Sequence, residues 1–134
     1  MSDSFSFLID FLGKVSLQMQ KMMGALVLLV CIDYITGVCV AVRTQKLSSK
    51  IGAKGIATKV MIFAIVAVSA VVDRYLIGTD LMLSNATILF YCVNELISIL
   101  ENVAKSGLPL PKKLTDCLKN LHRDTQQENT SGQG

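Results

Sequence analysis

The amino-acid sequence predicts an all-α membrane protein with three transmembrane helices, an N-terminal amphipathic helix and a basic cytoplasmic C-terminal tail. Of its 134 residues, 51% are hydrophobic and only 17% are charged, whereas about 25% are charged in an ordinary globular domain. The apolar residues are concentrated in three runs of about 20 residues, the length that crosses a hydrocarbon core of about 30 Å. Backbone groups in lipid must bond within their own segment, so each run is expected to form a helix. The same composition excludes a disordered, collagen-like or disulfide-stapled chain.

The apolar runs differ in how easily they insert into a membrane. The first contains ten Leu, Ile or Val residues, worth roughly −3 to −6 kcal/mol of insertion free energy, against roughly +3 kcal/mol for its single charge, Asp33. The third has a smaller margin, because it must also carry Glu95 and two asparagines. Only residues 78–80 separate the second and third runs, which predicts a tight antiparallel hairpin. The predicted membrane domain covers 22–102, with spans at about 22–42, 56–77 and 81–100.

Lysine and arginine are unevenly distributed between the two sides of the predicted spans. Ten lie in the loop after the first span and in the C-terminal tail, whereas the opposite side carries Lys14, Lys21 and Arg74. Because positive residues favour the cytoplasmic side, we expect the N-terminus outside and the C-terminus in the bacterial cytoplasm. No cleaved signal peptide is expected, since no basic segment followed by a small-residue cleavage site opens the chain. The topology-setting residues include Arg43, Lys46, Lys50, Lys54, Lys59, Lys112, Lys113 and Lys119.

Amphipathic segments flank the membrane domain on both sides. In residues 1–21, apolar side chains recur from Phe5 onward at alternating steps of three and four. This pattern predicts a helix at the outer interface or against the bundle, acting either as an anchor for the first span or as a regulator that delays assembly. The tail, residues 103–134, opens with a proline-containing segment that ends the third helix. A short basic helix suited to an anionic leaflet is expected next, with disorder from about residue 125.

The reactive residues form no catalytic or metal-binding pattern. The four cysteines include no CxxC pair, and the single histidine, His122, stands beside none of them. Three of the cysteines lie inside apolar runs, where a thiol behaves as a small apolar group. Catalytic motifs such as GxSxG, HExxH and a phosphate loop are absent from the sequence. We therefore expect no enzymatic activity, no metal and no cofactor. Nucleic-acid binding is not expected either, because no aromatic residue interleaves the basic tail.

Acidic residues inside apolar spans are costly and usually face a bundle interior or water. Asp33 lies midway in the first span, and Gly37 and Ala41 follow it at i+4 and i+8 on the same face. Small residues let a second helix approach closely, so this face is expected to be a helix contact. Asp73 and Arg74 lie near the outer end of the second span, where we expect them in the membrane interface.

The third span has a polar side and an apolar side. Its polar residues recur at alternating steps of three and four, with Glu95 and Asn102 beside the line, and apolar residues repeat with the same steps on another face. Such a helix is expected to face lipid on one side and a polar surface or water on the other. The sequence leaves open whether that surface contacts other helices or lines water in an assembly. The candidate pore-lining or helix-contact residues of this span are Ser84, Thr87, Tyr91, Asn94, Glu95, Ser98 and Glu101.

Short motifs occur in a fixed order along Gly24–Leu121. They are Asp33-Tyr34-Ile35-Thr36-Gly37, Lys46-Leu47-Ser48-Ser49, Lys54-Gly55-Ile56, Lys59, Asp73, Asn94-Glu95, Ser98-Ile99-Leu100-Glu101-Asn102 and Gly107-x-Pro109-x-Pro111-Lys112-Lys113-Leu114. One motif alone is a weak signal, but the ordered set, correctly spaced over three spans, is specific. It resembles the toxin-secretion/phage-lysis holin family.

The resemblance implies a small phage or prophage membrane protein without catalytic activity. Such proteins accumulate in the bacterial cytoplasmic membrane, associate as homo-oligomers in the lipid bilayer and form lesions at a set time. The lesions let an endolysin reach the cell wall, or in some relatives release a large toxin, without required direct binding. Two other functions stay open: an antiholin-type regulator that restrains a lytic partner, and a small proton-coupled membrane transporter. The resemblance assigns no role to individual polar residues.

Overall fold

The computed structural model describes residues 2–13, 17–78 and 82–131, and every regular element in these ranges is helical. The all-α class is therefore confirmed. In chain order the elements are α1 (Ser2–Gly13), α2 (Leu17–Arg43), α3 (Ser49–Val71), a π-helical segment (Val72–Ile77), α4 (Met82–Lys105) and α5 (Lys112–Ser131).

Three of these helices are long and apolar enough to cross a membrane. They are α2, α3 together with the π segment, and α4, whose most apolar stretches have mean hydropathies of 2.5, 2.3 and 1.4. The lowest value belongs to α4, in line with its polar side. All three extend beyond the predicted spans, most clearly α3, which begins at Ser49 rather than near residue 56. Its start is fixed by Ser48, whose hydroxyl accepts a hydrogen bond of 3.2 Å from the backbone N–H of Ile51.

The three spans form a bundle in which α4 packs against both α2 and α3, while α2 and α3 have less contact with each other. The end of the bundle marked by Arg43, Ser49 and Lys105 carries many exposed basic side chains, and we call it the basic end. The opposite end, where the π segment turns toward α4, is called the hairpin end. Gly78 ends the π segment with φ +72°, a conformation that favours glycine, and its N–H donates to the Asp73 carbonyl at 2.8 Å. Residues 79–81 of the predicted hairpin lie outside the described residues.

The apolar core occupies the half of the bundle nearer the hairpin end. Leu26, Val66 and Ile88, one from each span, are at most 1% exposed. Other large apolar side chains face outward, and Leu28 and Val68 are 61% and 58% exposed. Outward-facing leucine and valine at this density suit lipid and not water. The bundle is therefore built to be surrounded by hydrocarbon.

Helix α1 lies near the hairpin end. The rings of Phe7 and Tyr75 stack with centroids 6.0 Å apart, and the described side chains of α1 are all exposed. The predicted apolar stripe of residues 1–21 is divided in the structure, because Met19 belongs to α2 and is buried in the core. Val15, another member of that stripe, lies outside the described residues.

Helix α5 packs against α4 at the basic end. Pro111 precedes its first residue, and Leu118 is buried in the contact. A pocket of about 190 Å³ remains beside it, lined by Leu100, Ala104 and neighbouring side chains. Disorder is predicted from about residue 125, and in the structure helix α5 continues past that point to Ser131.

Candidate functional site

A buried cluster of charged side chains joins all three spans. The Lys59 ammonium on α3 donates to the Asp33 carboxylate on α2 and, at 2.6 Å, to the Glu95 carboxylate on α4. Asp33 is 6% exposed and Glu95 is 2% exposed. Charges with so little access to water persist only when they are paired and hydrogen-bonded. One lysine therefore holds together carboxylates from two other helices.

The three charged residues meet because they lie at one level of the bundle. Each is ten residues from the basic end of its helix, which places all three about 15 Å inside that end at 1.5 Å per residue. Helix α3 approaches α2 closely just below this level. An added Cβ at Gly52 would lie 3.5 Å from the Tyr34 hydroxyl, and one at Gly55 would lie 3.6 Å from the Tyr34 ring.

Asn102 extends the cluster toward the basic end. Its amide Nδ2 donates to Asp33 Oδ1 and to Thr36 Oγ1, both at 3.0 Å, and lies 3.3 Å from the Asp33 carbonyl oxygen. The Thr36 hydroxyl in turn donates to the Asp33 carbonyl at 3.0 Å. An added Cβ at Gly37 would lie 3.6 Å from Asn102 Nδ2, so the small residue provides room for this amide. We call Asp33, Thr36, Lys59, Glu95 and Asn102 the polar network.

The polar network is a set of contacts between side chains of the three spans. Two carboxylates face one ammonium, so the cluster has a net charge of −1 when all three are ionised. The described residues contain no group of three or more His, Cys, Asp or Glu side chains arranged to hold a metal ion. The adjoining groove between α2 and α3 has a volume of about 320 Å³ and is lined mainly by apolar side chains such as Val30, Ile56 and Phe63, together with Tyr34 and Lys59. Chemically, the arrangement neutralises its polar groups against each other within the membrane-spanning part of the bundle.

A second polar contact closes the hairpin end. Asp73, which is fully buried, accepts hydrogen bonds from the backbone N–H groups of Leu83 and Ser84 at 3.1 and 2.6 Å and from the Ser84 hydroxyl at 2.7 Å. The carboxylate thereby satisfies N–H groups in the first turn of α4, where the helix dipole also favours negative charge. Asp73 therefore caps a neighbouring helix from inside the bundle, four residues before the end of its own span, and its place in the membrane interface stays a prediction. One turn earlier, the hydroxyls of Ser69 and Thr87 lie 3.1 Å apart.

The polar side of the third span is divided among three environments. Nearer the hairpin end, Ser84 and Thr87 contact the second span, and Tyr91 packs against the apolar core. Glu95 and Asn102 belong to the polar network. The remaining members, Asn94, Ser98 and Glu101, have no hydrogen-bond or ion-pair partner among the described residues, and Asn94 and Glu101 are exposed.

The predicted contact face of the first span is directed at the third span of the same chain. Asp33 and Gly37 both contact Asn102, and Ala41 is partly buried farther along α2. At the basic end, the guanidinium of Arg43 donates to the carbonyl of Ser106, which joins the ends of α2 and α4. The face is therefore a helix contact within the monomer.

Lys59 is the residue that sequence reasoning placed wrongly. It was expected among the topology-setting residues of the loop, but it lies within α3 with its ammonium on two carboxylates. A signal was present in the sequence: Gly52, Gly55, Lys59, Ile62, Val66 and Ser69 recur at steps of three and four, which puts the lysine on the buried face of a helix. The other seven topology-setting residues are exposed in the structure: Arg43, Lys46, Lys50, Lys54, Lys112, Lys113 and Lys119.

The sequence matches known proteins over most of its length. A probable holin of Bacillus phage phi105 is 34% identical over 108 residues, which cover 81% of this chain and 79% of the relative. An uncharacterized protein of Halalkalibacterium halodurans is 41% identical over 107 residues, covering 77% of this chain and 79% of the relative. An uncharacterized 14.9 kDa protein of Clostridium perfringens is 39% identical over 97 residues, with coverages of 72% and 74%.

No solved structure matches this chain significantly. The model of the bacteriophage holin family matches residues 10–123, a range that contains all three spans and the whole polar network. Family and structure agree on a multi-pass helical protein that works in a lipid bilayer. The chain belongs to the bacteriophage holin family.

Proposed function

We propose that this protein is a holin that accumulates in the bacterial cytoplasmic membrane, assembles with itself and forms timed lesions that lead to host cell lysis. The lesions release an endolysin, or a toxin, without direct binding to it. The N-terminus lies outside and the C-terminal helix lies in the cytoplasm. Family membership and the phage relative support the holin role. The exposed basic residues at the basic end, Arg43, Lys46, Lys50 and Lys54, and those of α5 support the orientation.

The polar network is the observation that carries this proposal. A membrane bundle gains nothing from burying Asp33, Lys59 and Glu95 merely to be stable, since apolar side chains of similar volume would serve as well or better. The network does give the monomer polar groups that are satisfied internally at first and that water can satisfy later. A water-filled lesion needs such groups on its wall.

The proposed mechanism is an exchange of partners. Monomers insert with the polar network closed, and at high density contacts between copies replace contacts within each copy. Helix α4 then turns its polar side toward water, so that Asn94 and Ser98 join Glu95 on the wall of the lesion. Loss of these groups is therefore expected to change lesion formation more than insertion.

The test is induced expression in a bacterium that holds endolysin in its cytosol, with membrane potential and culture turbidity recorded together. Abrupt depolarisation followed by lysis is the expected result. Depolarisation without lysis would contradict release of the enzyme and indicate a lesion that passes only ions. An inserted protein that causes no depolarisation would contradict the holin role and favour an antiholin or a transporter.

A variant set connects this test to the polar side of α4. We expect the triple substitution Asn94→Ala, Glu95→Gln and Ser98→Ala to change the time of triggering or to abolish leakage. The matched control is Ile65→Ala with Val68→Ala on α3, where both side chains are exposed and apolar. If the triple variant triggers on the normal schedule with normal leakage, the polar side of α4 is only structural.

A further inference from the structure

Asn94 is an amide on the lipid-facing surface of the bundle. It is exposed and has no hydrogen-bond partner among the described residues. It lies eleven residues from Lys105, the last residue of α4, which places it about 16 Å inside the basic end at 1.5 Å per residue. With Lys105 taken as the edge of a hydrocarbon core about 30 Å thick, this amide lies near its middle. Hydrocarbon at that depth offers no hydrogen-bond partner.

The other spans expose no comparable group at this level. Around it, the outward side chains of α2 are apolar or thiol, such as Cys31 and Ile32, and those of α3 include Val60 and Met61. Thr58 is exposed on α3, but its hydroxyl donates to the carbonyl of Lys54 at 3.0 Å. Asn94 therefore marks one edge of the bundle where hydrocarbon leaves a donor and an acceptor unsatisfied.

We infer that this edge of α4 is the contact through which two copies of the chain associate, with the Asn94 amides paired across a two-fold axis along the membrane normal. All copies insert in the same direction, so their Asn94 side chains lie at the same depth. A carboxamide has both donor and acceptor atoms, and two of them form reciprocal hydrogen bonds. A two-fold contact uses the same patch on both copies, and this patch is self-complementary.

The residues around Asn94 suit such a contact. Phe90 lies one turn toward the hairpin end and offers apolar packing area, and half-buried Ser98 supplies a small polar neighbour. Ile97, one turn toward the basic end, borders the pocket between α4 and α5, so α5 flanks the contact there. Glu101 lies two turns toward the basic end on the same side of α4, only four residues from its last residue. In a parallel pair the two Glu101 carboxylates repel each other near the interface, which limits the strength of the contact.

This inference deepens the proposed function and rests on it, since it names the first contact of the assembly. Disulfide crosslinking in native membranes tests it. All four native cysteines are replaced by alanine, and single cysteines are introduced as Asn94→Cys or, for the control, Val60→Cys, which is exposed on α3 at the same level. We expect a mild oxidant to convert Asn94→Cys to a disulfide-linked dimer at least several times faster than Val60→Cys.

Equal crosslinking at the two positions, or none at Asn94→Cys, would overturn the inference, because the Asn94 edge would then face lipid or meet other copies only by random collision. Dimerisation of uncrosslinked protein gives an independent test. Asn94→Leu is expected to weaken the dimer roughly five- to thirty-fold, the effect of one or two kcal/mol of interhelical hydrogen bonding. Glu101→Gln is expected to strengthen it about twofold by removing a like-charge contact.

Both readouts are separate from the proposed lesion activity. A dimer that forms through Asn94 in a protein that never depolarises the membrane would contradict the holin proposal and support the interface. A protein that lyses cells normally without crosslinking at Asn94→Cys, and whose dimerisation Asn94→Leu leaves unchanged, would support the holin proposal and exclude this interface.

Discussion

Replacing Lys59 by methionine tests whether the polar network holds the three spans together. The substitution keeps a long flexible side chain but removes the ammonium that bonds to Asp33 and Glu95. The two carboxylates then face each other with little access to water, since they are 6% and 2% exposed. Removing one partner from a buried ion pair costs about 3–5 kcal/mol, and we expect Lys59→Met to lower the free energy of unfolding by about this amount.

The opposite prediction comes from insertion alone. On the insertion scale a lysine at a helix centre costs about 3 kcal/mol, so Lys59→Met makes α3 a better membrane span. If only insertion mattered, the variant would be as stable as the native chain or more so. Measuring insertion and stability separately distinguishes the two effects.

The assay compares membrane insertion, by fractionation, with unfolding of the purified protein in mixed detergent micelles followed by circular dichroism. Lys54→Met is the control, because Lys54 is exposed on the same helix. The compensated variant combines Lys59→Met with Asp33→Asn and Glu95→Gln, and it is expected to regain most of the lost stability because no unpaired charge remains. Native stability of Lys59→Met, or no recovery in the compensated variant, would refute the reasoning.

Three further predictions concern two other contacts of the bundle and the orientation of the chain. Gly37→Leu is expected to displace Asn102 and destabilise the α2–α4 contact by about 1–3 kcal/mol. Gly37→Ala is expected to unfold like the native protein, because its Cβ would lie 3.6 Å from Asn102 Nδ2. Identical unfolding of the two variants would contradict the close approach of the helices. Asp73→Ala leaves buried N–H groups of α4 unpaired and is expected to lower the free energy of unfolding by about 1–3 kcal/mol in the same assay. Asp73→Asn is expected to lower it less, because asparagine keeps an acceptor oxygen. Unchanged stability of Asp73→Ala would count against the cap. With Cys117 as the single cysteine, a membrane-impermeant maleimide is expected to label the chain only after the cytoplasmic membrane is permeabilised, and labelling of intact cells would reverse the proposed orientation.

The spans were predictable because their signal is local. A run of about 20 apolar residues identifies a membrane helix whatever it packs against, and only three residues between the second and third runs leave no alternative to a hairpin. The helix ends were less predictable. Residues such as Lys50 and Lys54 lower the hydropathy of the first turns of α3 without preventing helix formation.

The partners of the polar residues were not predictable from hydropathy. Asp33 and Glu95 were identified as costly, but the group that neutralises them lies on a third helix and was assigned to a loop. The choice depends on helix rotation and depth, which follow from packing between segments far apart in the chain. The partners of Asp73 were equally unpredictable, because they begin ten residues later and the residues between indicate only a turn.

The bundle changes character from one end to the other, and this bears on how the proposed lesion begins. Toward the hairpin end the three spans meet through apolar side chains such as Leu26, Val66 and Ile88, whereas the polar network lies in the half nearer the basic end. Lipid is as apolar as leucine, so the apolar layer is held by close packing and not by exclusion of water. Water that enters from the hairpin end meets the Asp73–Ser84 cap and the Ser69–Thr87 pair, and beyond them only the apolar layer. Water entering at the basic end replaces the contacts of Lys59 and Asn102 with hydrogen bonds of its own, so the spans separate at least cost from that end.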